Sequence, residues 1–174
     1  MRPLCLTCTA ALVFAVVTTA SASNQFAAGS AKTDTALTVA GSGEHAAFSV
    51  HSVSGPLRCS ASGQMVYKAD ASGFASGGAL QFQAKLDQLV IFPATPTRTT
   101  AFAAFQGTIT SVTQGPASLV GQFVIASAAD SGLPGGTGDQ FALNSITPQS
   151  VSTCETPGGL HPIDQGNIVI KVTP

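Results

Sequence analysis

The densest grouping of residues that could do chemistry is Asp130-Ser-Gly-Leu-Pro-Gly-Gly-Thr-Gly-Asp139. Two carboxylates and a run of carbonyls on a glycine-rich loop are hard oxygen donors, the kind Ca²⁺ takes. Calcium wants about six to eight oxygens, so Asp164 or Asn167 would have to arrive from elsewhere in the fold. The plainer expectation is a long turn between two strands. Glycines there permit positive φ, Pro134 stiffens the chain, and the aspartates bond local backbone N–H groups. No metal is therefore assigned, and Asp130 and Asp139 stand as an alternative calcium loop.

Other chemistry is thinly represented. His45, His51 and His161 fall in no metal-ligating motif, and surface positions are expected for them. Serines are many, but no G-x-S-x-G elbow carries one. Paired carboxylates for glycoside hydrolysis must sit about 5–10 Å apart. Asp70, Asp87, Asp130, Asp139 and Asp164 are the candidates. Sugar sites also favour aromatic platforms, and the chain has no Trp and only Tyr67. No glycine-rich phosphate loop opens a helix, so no nucleotide site and no cofactor is expected.

The cysteines depend on where the chain matures. Met1-Arg2-Pro3, the apolar stretch Leu4 to Val17 and the small-x-small exit Ala20-Ser21-Ala22 have the order of a cleavable secretory signal. The apolar core is shorter than the roughly 20 residues that span a bilayer. Cleavage near residue 22 would remove Cys5 and Cys8, a C-x-x-C with a redox look, and leave 152 residues. Cys59 and Cys154 then have one pairing within the chain, in an oxidising compartment where disulfides persist. That bridge would close a loop of about 95 residues, stabilising by roughly 4–5 kcal/mol on chain entropy alone. Six basic and eight acidic side chains remain in the mature chain. So small a basic count argues against nucleic acid and against an anionic membrane surface.

Whatever does the work must be positioned by strands. Residues 23–34 are small and polar and read as a flexible N-terminal arm, leaving 35–174 as one β domain. Beyond it the hydrophobic period is two. Ala46, Phe48 and Val50 alternate with polar or small partners, as do Leu80, Phe82, Ala84 and Leu86. The phase slips between Leu86 and Leu89, predicting a bulge near Asp87-Gln88. Leu119 to Ile125 is apolar on both faces, as in a central strand. Further strands are expected over 35–40, 64–68, 89–92, 101–112, around Phe141 and Leu143, and at Ile168 to Val172. About eight or nine short strands with regular turns, and no amphipathic helix, predict a single all-β antiparallel sandwich or barrel.

Four pieces then stand in order: the alternating Leu80–Asp87; Gly107-Thr-Ile-Thr-Ser-Val112; Asp130-x-Gly-x-Pro-Gly with Gly138-Asp139-x-Phe141; and Gly166-Asn167-Ile168. In these the chain resembles the post-COAP domains, small β-rich modules of exported bacterial proteins, over about residues 60–172. The resemblance implies an extracellular β module, often part of a larger surface protein. It implies no chemistry and transfers no catalytic residue. The Cys59/Cys154 pair has no counterpart in it.

The leading expectation is a secreted, non-catalytic β domain with a structural or interaction role, extracellular or periplasmic. Its partner would be a protein, a surface or a small molecule. The alternatives are a β-barrel enclosing a small apolar ligand and an extracellular hydrolase. A filled interior speaks against the first, and a cleft with paired carboxylates or a Ser–His contact would favour the second.

Overall fold

Period-two alternation is the organising pattern in the computed structural model, which describes residues 24–33, 43–53, 59–150 and 159–173. Nine antiparallel strands form one curled sheet, a half-barrel. They are β1 (Asn24–Thr33), β2 (Glu44–Ser52), β3 (Ser60–Ala69), β4 (Leu80–Phe92), β5 (Ala101–Gln114), β6 (Phe123–Asp130), β7 (Gln140–Thr147), β8 (His161–Pro162) and β9 (Gln165–Thr173). Neighbours in sequence pair from β1 to β8, and β9 returns to pair with β1. Among the described residues the only helices are three short 3-10 turns, none long and apolar enough to cross a membrane.

The inward residues of the strands make one core. Phe48 packs against Phe105 and Phe141, with ring centroids 4.8 and 5.8 Å apart, and Tyr67 stacks on Phe82 at 5.2 Å. Offset pairs of this kind add about 0.5–1.5 kcal/mol each beyond the area they bury. Phe141, expected to anchor the strand leaving the long turn, is buried in this set. The phase slip in β4 is a bulge. Leu86 pairs with Gly107 and Gln88 with Gln106, so Asp87 is the extra residue. Leu86, Gln88 and Leu89 are all buried around it.

Two expectations are corrected. Residues 24–33 are not a loose arm but β1, hydrogen-bonded between β2 and β9. Its inward side chains, Ala27, Ala31 and Thr33, are small and leave a faint hydrophobic period. The approach of β9 requires that smallness. A Cβ on Gly29 would lie 2.7 Å from the Asn167 carbonyl oxygen. The strand expected from Leu119 begins only at Phe123. Leu119 enters the core from a 3-10 turn over Ala117–Leu119, and Gly121 at φ +85° re-aims the chain before β6. The segments 1–22 and 35–40, and Cys154, lie outside the described residues.

Candidate functional site

The Asp130–Asp139 loop joins β6 to β7 and meets the segment after Asp164 through the backbone of β9. Strand β9 pairs with β1 on one side only, so the N–H groups of Ile168 and Ile170 point off the sheet edge. Asp139 Oδ2 accepts the Ile168 N–H at 2.8 Å, and Asp130 Oδ2 accepts the Ile170 N–H at 2.9 Å. The remaining carboxylate oxygens are engaged locally. Asp139 Oδ1 accepts the Ser131 N–H at 3.0 Å and lies 3.0 Å from the Ser131 hydroxyl, while Asp130 Oδ1 accepts the Gly132 N–H at 2.7 Å.

Glycine lets the loop come this close. Gly136 has φ +74°, and a Cβ there would lie 2.3 Å from the Gly166 carbonyl oxygen. Asp139 is 1% exposed, so its charge is held by N–H and O–H donors rather than by water. Donors converge where calcium needs oxygens, and the loop is thus a carboxylate clasp on an edge strand. Among the described residues no group of three or more His, Cys, Asp or Glu is placed to hold a metal ion.

The other candidates disperse. Asp70 is exposed and pairs with Lys68 at 3.5 Å, and Asp87 sits on the bulge. Exposed Asp164 donates its backbone N–H to the Lys32 carbonyl at 2.8 Å. His45 and His51 lie exposed on the outer face of β2, and His161 pairs with Phe141 in β8. Cys59 is buried just before β3, its sulfur 3.9 Å from Gln88 Oε1.

Two arrangements had no forecast. Inside, Glu44 and Tyr67 are 8% and 0% exposed, and neither Glu44 Oε1 nor Tyr67 Oη has a hydrogen-bond partner. Burial, opposed weakly by the nearby phenol, raises the Glu44 carboxyl above its ordinary value. Burial first, and then the Glu44 charge, raises the Tyr67 hydroxyl. Glu44 is in phase with Ala46, Phe48 and Val50, so its inward direction was readable from the period.

Outside, an open groove of about 600 Å³ runs over β9, β1, β2, β3 and β4. One cross-strand row fixes its wall. Gln165 is opposite Lys32, Lys32 opposite His45, His45 opposite Lys68, and Lys68 opposite Gln81. Ser30, Ala47 and Val66, on the next row, also line it. A smaller depression of about 180 Å³ adjoins it at Val66 and reaches Lys85. Lys32 and Lys68 stand two strands apart with His45 between them, and the Lys68–Asp70 contact is exposed and worth little to folding.

Compared with family models, with curated proteins and with solved structures, the chain matches none.

Proposed function

We propose that the chain is an exported, non-catalytic β module that acts as scaffold and binding surface outside the cytoplasm. The observation that carries this reading is the clasp: the two carboxylates best grouped for chemistry are both engaged on the backbone of β9. Two further features support it. The inward Phe48, Phe105, Phe141, Tyr67 and Phe82 pack in one core cluster, which speaks against the apolar-carrier alternative. The broad recess over β1–β4 opens outward, and Lys32, His45, Lys68, Gln81 and Gln165 line it together with small apolar side chains. The likeness to post-COAP modules points the same way.

Export is part of the proposal. A cut after residue 22 falls just ahead of Asn24, so the whole of β1 stays with the mature sheet. The buried Cys59 is proposed to pair with Cys154 in that compartment, stabilising by about 2–4 kcal/mol. The test is to express the full chain in a secreting host, weigh the exported product under non-reducing conditions, and assay it on chromogenic ester, glycoside and peptide substrates. The expected product starts near residue 23, lacks two hydrogens and turns over none of them. A retained N-terminus would end the export reading, two free thiols the bridge, and turnover the non-catalytic reading.

A further inference from the structure

We propose that the outer-face groove over β1–β4 binds a linear acidic polysaccharide of uronate type, lying across the strands with its carboxylates on Lys32, His45 and Lys68. The inference rests on the reading of the chain as a binding module and names the partner class.

The register is the first ground. One basic side chain, lysine, histidine and lysine in turn, stands on each of three adjacent strands in one row, so basic groups recur at the strand spacing of about 4.8 Å. A polymer with one negative charge per sugar ring offers anions on that scale. A compact polyanion would instead need its charges gathered at one point. The second ground is what flanks the cations. Gln165 and Gln81 end the row, and Ser30 lines the groove beside it. Amides and a hydroxyl are donors and acceptors for sugar hydroxyls, as well as donors to carboxylates. Ala47 and Val66 keep the floor low between the long side chains. The volume, about 600 Å³, is within the range of small-ligand sites, roughly 300–1,000 Å³.

The third ground is electrostatic. The chain carries few charges, 9% of residues. Yet Lys32, His45, Lys68, Lys85 and Lys171 all fall on the outward phase of β1, β2, β3, β4 and β9. A carboxylate polymer is opposite in sign to the lysines of this face. Asp70, on Lys68 at 3.5 Å, is the competitor already in place. Nucleic acid fits less well, since no aromatic side chain lines the groove for bases to stack on.

The test is titration calorimetry of the mature protein with a short oligogalacturonate. A neutral oligogalactan of equal length and a single-stranded oligonucleotide serve as comparison ligands. Lys32→Gln with Lys68→Gln should weaken uronate binding by about tenfold or more, as charge-assisted contacts would. His45→Gln should weaken it a few-fold. Asp70→Asn, which releases Lys68, should tighten it. Lys171→Gln, off the groove, should leave it unchanged. All five positions are exposed or half-exposed, and circular dichroism of each variant verifies the fold. No uronate binding, wild-type binding by the double variant, equal binding of the neutral glycan, or tighter binding of the oligonucleotide would each overturn the proposal. Cleavage of a bound uronate, lost with the double variant, would uphold the groove and overturn only the non-catalytic reading.

Discussion

The β6–β7 clasp and the outer-face groove handle charge in opposite ways. At the clasp Asp130 and Asp139 are turned onto backbone N–H groups, and all four carboxylate oxygens are satisfied within the protein. On the outer face Lys32, His45 and Lys68 stand in line across three strands, and the one short ion pair described there, Lys68–Asp70, is solvent-exposed. Charge that satisfies buried backbone acts on folding. Charge set out along the wet face of a sheet does little for folding. Stability and binding should therefore separate between the two regions.

The largest effect should come from Asp139→Ala. It strands the Ile168 and Ser131 N–H groups, each costing about 1–3 kcal/mol when buried and unsatisfied, while the Ser131 hydroxyl keeps the Thr137 carbonyl at 2.6 Å. A loss of about 3 kcal/mol is expected. At about 2–4 °C per kcal/mol for a domain of this size, thermal unfolding should fall by roughly 10 °C. Asp139→Asn keeps one oxygen acceptor and should lose about half as much. If both variants melt with the wild type, the clasp is not structural and the contrast fails. Asp130→Ala should follow at about 1–2 kcal/mol, because Asp130 is only partly buried and water can replace part of what it accepts.

Glu44 sharpens the comparison from inside the sheet. Its folded-state carboxyl is raised above its ordinary value near 4.5, so the folded protein holds this proton more tightly than the unfolded chain. Stability from this group is fully present below about pH 4.5 and declines as pH rises towards the raised value, beyond which it changes no further. Glu44→Gln should remove that decline. Urea midpoints taken at acid and neutral pH would reveal it, and a wild-type decline that persists in Glu44→Gln would assign it to another group.

How much of this was open to sequence reading depends on the size and kind of the groups involved. Large alternating side chains in β4 declared both the strand and its bulge, because Leu86 and Leu89 fall out of phase around Asp87. β1 was missed because its inward residues are alanines, a glycine and a threonine, sized for the close pass of β9. The start of β6 was misplaced because Leu119 and Val120 look strand-like, while Gly121 in a positive-φ turn divides them from the ladder. The place of the clasp was legible and its partner was not. Asp130 and Asp139 stand out in the sequence, and the chain that meets them is β9, at Ile168 and Ile170. Sequence shows side-chain oxygens there, but the groups that arrive are main-chain N–H donors on a sheet edge, which every residue but proline carries. The cationic row was illegible because it exists only through register across β1, β2 and β3, and Lys32 lay in the supposed arm.

The smallest effect expected on folding is the sharpest test of the contrast. Lys32→Gln and Lys68→Gln remove like charges that stand two strands apart, either side of His45, at exposed or half-exposed positions. Changes at such sites stay within about 0.5 kcal/mol. Relief of repulsion should make the sign slightly stabilising, and most visibly at low ionic strength, where surface charges are least screened. Denaturant melts at low and high salt would show the midpoints converging as salt is added. A clear destabilisation by either variant would mean that the lysine stems pack as part of the fold, and the outer row would then belong with the clasp rather than opposite it.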